Sequence, residues 1–300
     1  MKTITSLILM LTIASVSNAQ NVEIPDIAFL YALIEEGVDT SGDGEISYAE
    51  AEAVTSLDVS GEWICNGDDC GYIRQIASLE GVEAFVNLET LNCNINQLTS
   101  LDVSNNTALT NLYCYHNQLT NLDVSNNTAL EYLNCRNNQL ASLDISHNTA
   151  LEFLNCWSNQ LTSLDVSKNV KLNSLLCNNN FLTSLDLSNN EDLLAEGICY
   201  LYGLDLSGMP SLHEVCVPDG FSIDQIVTTG SPNVYFTTDC KYIDNVFIPD
   251  TAFLHALIDE GVDTNGDSLI SYAEAKAMIS LNVRQKNISD MTGIEAFINL

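Results

Sequence analysis

The chain has 300 residues, with 40 Asp and Glu against 9 Lys and Arg and a formal net charge of −31. A field of that sign repels phosphate polymers, which excludes nucleic acid and anionic membrane surfaces as partners. It suits a soluble exported protein that meets divalent cations. Residues 1–19 hold one Lys near the start, the apolar run Leu7–Ile13, and Ser17-Asn18-Ala19 before Gln20. This is the pattern of a secretory signal peptide, and its apolar run is too short to span a bilayer. No later stretch is long enough to do so. The mature chain is expected to begin near Gln20 and to be secreted or held at the cell surface.

Residues 20–58 read as a helix–loop–helix unit. Ile27 to Ile34 is apolar on one helical face, and Asp39-Thr-Ser41-Gly-Asp43-Gly44-Glu45-Ile46-Ser47-Tyr-Ala-Glu50 comes next. Read plainly, this is an Asp/Gly-rich surface turn. Against that stand oxygen-bearing side chains at positions 1, 3, 5, 9 and 12, Gly at 6 and an apolar residue at 8, all between two helical segments. The stretch resembles an EF-hand calcium loop. The resemblance implies calcium as the cofactor, with side-chain oxygens from Asp39, Ser41 and Asp43 and the carbonyl of Glu45. Ser47 would act directly or through water, and Glu50 would bind through both carboxylate oxygens.

Residues 59–87 are expected to form the N-terminal cap of a repeat array that starts at Leu88. Within GEWICNGDDCGYIRQ, Cys65 and Cys70 bracket a polar turn, and a mutual disulfide closing a small hairpin is the simplest account. Ile76 to Leu88 reads as a divergent first turn that shields the open end of the stack.

From Leu88 the same 21-residue sentence is written five times, beginning LETLNCNINQLTSLDVSNNTA. The pattern L-x-x-L-x-[C/V]-x-x-N falls twice in each copy, at alternating steps of 10 and 11 residues. Its period-2 alternation points Leu91, Cys93, Leu98, Leu101 and Val103 inward and Asn92 and Asp102 outward. One turn cannot bury its leucines alone, so neighbouring turns must stack. Asn96 and Asn106, with their equivalents in each later copy, then form two inward columns whose amides satisfy backbone groups at the bends. Cys93, Cys114, Cys135, Cys156 and Cys177 form another column, which Cys199 is expected to continue. Parallel side chains ~4.8 Å apart do not converge as a disulfide requires, so these are read as buried thiols. A metal column is the alternative, but no His or second Cys completes a tetrahedral set.

This period and pattern resemble the leucine-rich repeat in its short bacterial form. The whole chain is similar to secreted bacterial proteins in which EF-hand-like segments alternate with leucine-rich blocks. The fold class implied is an α/β repeat: a solenoid over residues 88–211, a narrow arc with parallel sheets along both faces, between small helical units.

Past Asp192 the repeat decays. Leu204-Asp205-Leu206 arrives three residues early, and residues 212–245 are expected to form a C-terminal cap. There Cys216 takes an outward position on its strand, and a bond to Cys240 would protect an exposed thiol. Residues 246–300 then restart the chain, with Ile248 repeating Ile24 at an offset of 224. The second loop offers Asp263, Asn265, Asp267, the carbonyl of Leu269, Ser271 and Glu274. Ser268 stands where the first loop has a Gly suited to positive φ, which weakens this copy. Ile294–Leu300 repeats Val82–Leu88, where the first array starts, and this suggests a product cut short of a second array.

For function, the half-turn LTSLDVS hardly varies between copies, while the other half varies at its outward positions. Tyr113, Tyr115, Tyr132, Arg136, Phe153 and Trp157 fall in three consecutive turns on one side. Unselected drift on a solvated face is the plain alternative. Aromatics with Arg are the usual hot-spot residues, so the expectation is a recognition or adhesion module that binds an extracellular protein or glycan. The competing class is an enzyme acting on extracellular polysaccharide. Its four His residues are scattered, with no nucleophile–base pairing. The outward column Asp102, Asp123, Asp144, Asp165, Asp186 and Asp205 would give every carboxylate the same environment, whereas an acid–base pair needs two.

Overall fold

A computed structural model describes residues 20–61, 75–193, 204–218, 226–232, 234–238, 245–246, 248–266, 268–272, 274–284, 286–294 and 296–300, and residues 62–66, 69–73, 194, 273 and 295 by their backbone alone. The expected signal peptide, Cys199, Cys240 and Asp267 lie outside the described residues. So do the side chains of Cys65 and Cys70.

Helix α1 (Ile27–Glu35) starts at Asp26, whose Oδ1 accepts the amides of Ala28 and Phe29 at 2.8 and 3.2 Å. Its other oxygen accepts the amides of Ala77 and Ser78 at 2.8 and 2.9 Å, which ties the helix to the first turn of the stack. Phe29, Ala32 and Leu33 are buried on its inner face, in the same hydrophobic core as the leucines of the array. Helix α2 (Tyr48–Glu52) opens on a capping box between Ser47 and Glu50. Strand β1 (Ser56–Asp58) comes next, then the antiparallel hairpin of β2 (Glu62–Asn66) and β3 (Asp69–Ile73), whose register sets Cys65 opposite Cys70.

The solenoid is built on one strand per turn. Strands β4 (Thr90–Asn92), β5 (Asn111–Tyr113), β6 (Tyr132–Asn134), β7 (Phe153–Asn155) and β8 (Ser174–Leu176) pair in parallel, 21 residues apart, with leucine opposite leucine at each rung. Leu91, Leu112, Leu133, Leu154 and Leu175 are all 0% exposed. The sheet has seven strands, because β1 joins one end and β10 (Leu204–Asp205) the other. Structurally, then, the stack begins at Ser56.

The asparagine columns satisfy the backbone at the bends, as their inward position demands. Asn138 Nδ2 donates to the carbonyls of Cys114 and Cys135 at 3.1 and 3.0 Å, and its Oδ1 accepts the amide of Leu119 at 3.0 Å. Asn117, Asn159 and Asn180 repeat the set one turn apart. The second column, from Asn106 to Asn190, donates across turns in the same way, for example from Asn127 to the carbonyls of Val103 and Asn106.

Three expectations need correction. First, sheets do not run along both faces. On the second face the early turns have only the isolated bridge Asp102–Asp123, and among the described residues a sheet forms only among β9 (Ser184–Asp186), β11 (Glu214–Cys216) and β12 (Tyr235–Thr237). In those early turns each Asp accepts the amide of the Ser two residues on at 2.9 Å, a local turn that competes with a ladder. On the first face the matching bonds are 3.4 Å at Asn92 and Asn134 and 3.1 Å at Asn155, but 3.0 Å at Asp58 and 2.9 Å at Asp205, both in paired strands, so the turn alone does not decide pairing. Asp186 makes the same turn, yet β9 still pairs with β11, a strand with no Asp at its outward positions.

Second, the column position after Cys177 is filled by a leucine. The register Leu204–Leu175 and Asp205–Leu176 places Leu206 there, 0% exposed, and moves Asp205 out of the aspartate column onto the seven-stranded face. Third, Cys216 occupies the outward position opposite Asp186 and is disulfide-bonded, both as expected, but it is buried at 0% exposure rather than exposed.

Helices α3 (Thr251–Asp259) and α4 (Tyr272–Ala277) repeat the first helical unit, with Asp250 as cap and Ser271 and Glu274 as capping box. Phe253, Leu257, Val262 and Ile270 form a second hydrophobic core, separate from that of the solenoid. Among the described residues no helix is long and apolar enough to cross a membrane.

Candidate functional site

Three outward columns of the seven-stranded face carry the large side chains, because parallel in-register pairing stacks the same position of every turn ~4.8 Å from the next. Tyr132 and Phe153 are direct cross-strand partners, and their rings lie 4.1 Å apart and 1° from parallel. Tyr113 stands in the next column, opposite Asn134, and meets Tyr132 diagonally, the ring centroids 4.9 Å apart at 37°. In the neighbouring row the guanidinium of Arg136 lies 4.7 Å from the Tyr115 ring centroid and 5.7 Å from that of Trp157. Arg136 is therefore clasped between an aromatic ring from the turn before and one from the turn after. All six residues are partly exposed. The structure thus brings the six sequence-selected residues onto one continuous surface across three turns.

Sequence reasoning missed His116, which stands edge-on to Tyr115 at 5.7 Å and bonds Asn137 Nδ2 at 3.1 Å. Burial, with the positive charge of Arg136, pushes its pKa down and favours the neutral ring. Its positive φ of 53° marks a turn position that Ile95, Asn137, Ser158 and Asn179 share. Only the varied identities along that column signal a role at the rim of the face.

The first loop holds its own carboxylates. Asp39 Oδ1 accepts the hydroxyl of Ser41 and the amide of Gly42 at 3.1 and 2.7 Å, and Oδ2 accepts the amide of Gly44 at 2.9 Å. Glu50 Oε1 accepts the amides of Thr40 and Ser41, both at 2.9 Å, and Oε2 accepts the amide and hydroxyl of Ser47 at 2.9 and 2.8 Å. The Gly44 amide does most to hold Asp39 below the usual carboxylate range, and the Ser47 amide does most to bring Glu50 down to about 2. Asp43 accepts the amide of Glu45, whose carboxylate takes the side-chain amide of Asn21.

Among the described residues no three Asp, Glu, His or Cys side chains gather as a ready metal cluster. The donor chemistry nevertheless fits a hard cation. Two ionised carboxylates, Asp39 and Glu50, meet at Ser41, with further oxygens along the same loop. The second loop has the same frame: Asp263 accepts the amides of Gly266 and Ser268 at 2.6 and 2.9 Å, and Glu274 those of Thr264 and Asn265 at 2.7 and 3.3 Å. Burial raises the Glu274 pKa, but the Ser271 amide and the Thr264 hydroxyl outweigh it and hold the group at about 2.

The aspartate column on the opposite face gives no contrasting pair. Asp102, Asp123, Asp144 and Asp165 are each held below the usual range by the Ser two residues on, through its hydroxyl and amide. Four equivalent carboxylates do not divide into acid and base.

Stacked 21-residue turns, one continuous parallel sheet and asparagine ladders at the bends define an α/β leucine-rich-repeat solenoid. No family model matches the chain, and no curated protein matches it. Among solved structures, the functional domain of InlJ from Listeria monocytogenes, which includes a cysteine ladder, is 25% identical over 75% of this chain and 66% of that one, with a TM-score of 0.38. The internalin InlF from Listeria monocytogenes is 24% identical over 71% of this chain and 55% of that one, with a TM-score of 0.47. Internalin C2 of the same species is 16% identical over 71% and 94%, with a TM-score of 0.41. The chain spans 66% of the InlJ domain and 55% of InlF, and so matches about two thirds of one and half of the other.

Proposed function

We propose that this chain is a calcium-stabilised recognition module, secreted or displayed at a cell surface, whose seven-stranded face binds an extracellular protein or glycan. The observation that carries the reading is the aromatic–arginine surface, unbroken from Tyr113 to Trp157 over three turns. Such side chains offer large contact area at little conformational entropy. Calcium has a structural part: bound between Asp39 and Glu50 it neutralises loop charge and fixes α1 against α2. Replacing Tyr115, Arg136 and Trp157 together by Ala, with the fold checked by circular dichroism, tests the surface. Immobilised extracellular-matrix proteins and a glycan array serve as probes. Binding by the native chain that the triple variant loses supports the reading. Undiminished binding moves the site elsewhere, with the aspartate column the next place to look.

A further inference from the structure

Resting on that reading, we propose that the aromatic–arginine surface recognises a carboxylate, presented by an Asp, a Glu or the C-terminus of a protein partner. The first observation is charge segregation. The chain has 40 acids, yet the outward positions of β5 to β8, and those two residues beyond each strand, hold none. Arg136 is the one ionised group there. The nearest acids in sequence, Glu131 and Glu152, precede their strands, and among the described residues the guanidinium of Arg136 has no ion-pair or hydrogen-bond partner. In so acidic a chain an unpaired arginine set in a neutral patch is complementary to an incoming anion.

The second observation is which parts of the rings are free. Tyr132 and Phe153 cover each other's faces, and Arg136 covers one face each of Tyr115 and Trp157. A sugar ring stacks on an open aromatic face, and one face of each of these four rings is already taken. Ring edges remain, and they carry the positive part of the quadrupole. Together with the fork of guanidinium N–H groups they suit an anion.

The third observation concerns unmet donors. Among the described residues the only buried side-chain donors without an acceptor are Arg136 Nε and Trp157 Nε1, on adjacent rungs of this one column. Burying an N–H unpaired is unfavourable, so this column gains from any side-chain shift that brings either N–H to an acceptor, while the terminal guanidinium nitrogens, which are not among the buried groups, are what an incoming carboxylate meets first.

The test is selection of random phage-displayed dodecapeptides on the full chain, followed by affinity measurement with synthetic peptides and their Glu→Gln and Asp→Asn counterparts. Expected are peptides whose binding falls at least about tenfold when the acid becomes its amide. Arg136→Gln should cause the same loss, and Arg136→Lys, which keeps charge without the fork, a smaller one. Peptides that bind equally well as amides, or equally well to Arg136→Gln, overturn the carboxylate inference. If the triple alanine variant still abolishes their binding, the recognition surface survives that result. Peptides that bind the triple variant as well as the native chain overturn both. A selection that yields no peptide dependent on this face, while polyuronate binds there, overturns the protein partner.

Discussion

At the scale of single residues, the solenoid rests on groups that never meet solvent. Asn138 satisfies three backbone groups in two successive turns. Asn138→Ala leaves the Leu119 amide buried and unpaired and removes one of the two asparagine donors from the carbonyls of Cys114 and Cys135, so urea unfolding should show a loss of about 1–3 kcal/mol. A loss below ~1 kcal/mol would mean that water takes over these bonds. The cysteines make a second case. Desolvation pushes Cys93, Cys135 and Cys177 up to about 12, and Cys114 and Cys156 well above the ordinary value. Below the unfolded thiol pKa of about 8.5, folded and unfolded chains hold the same protons. Above it the unfolded chain releases protons that the fold retains until about pH 12, so stability must fall as pH rises through that window. The expected outcome is a urea midpoint that drops between pH 8 and pH 10, with these five thiols resisting iodoacetamide in the native state. Ready alkylation of the native protein at pH 8 would show that the column opens.

At the scale of elements, the two calcium-type loops form a natural pair of variants. Gly44 sits at φ 84° where glycine carries no steric penalty, and Ser268 holds the equivalent position at φ 68°. Ser268→Gly removes a left-handed strain of about 0.5–1 kcal/mol. It is therefore expected to tighten calcium binding by the second loop by a few-fold, read by calorimetric titration. The first loop should bind at about 10⁻⁴–10⁻³ M and lose that site on Asp39→Ala. An unchanged titration after Asp39→Ala would exclude the first loop as a cation site. Much at this scale was legible in the sequence. The leucine and asparagine columns follow from a repeat in which each inward position recurs unchanged, and the helix caps at Asp26 and Ser47 follow from residue type. What could not be read is which face a half-turn joins. Leu57-Asp58-Val59 and Leu204-Asp205-Leu206 have the pattern of the second face but pair with the first, bracketing the cysteines with Val59 and Leu206. Both half-turns obey one inward–outward pattern, so the sequence leaves the face open and only strand pairing decides it. The same holds for the ring geometry. The sequence placed Tyr132 beside Phe153, but that they close each other's faces is a property of packed coordinates.

At the scale of the whole molecule, the two helical units differ in what they pack against. Phe29, Leu33 and Ile46 share one core with the leucines of the solenoid, so the first unit caps the array and unfolds with it. Phe253, Leu257 and Ile270 belong to a core of their own, which contains no residue of the array. Cooperativity follows shared burial, and sub-global unfolding respects such boundaries. Residues 246–300 should therefore unfold as a separate unit, and as the smaller core they should melt first. Differential scanning calorimetry is expected to resolve two transitions. Phe253→Ala, a large-to-small change in that second core worth about 3–5 kcal/mol, should lower or erase the first and leave the second in place. Phe29→Ala should do the reverse, shifting the main transition because its cavity opens in the core that runs through every turn. Calcium gives an independent handle, since binding to the native state raises the midpoint of the unit that binds. Saturation of the first loop should move the main transition, and any shift of the early one reports on the second loop. A single transition that moves equally with Phe29→Ala and Phe253→Ala would show that the second unit is coupled to the array after all, through contacts such as Tyr272 Oη with His213 Nε2 at 3.4 Å.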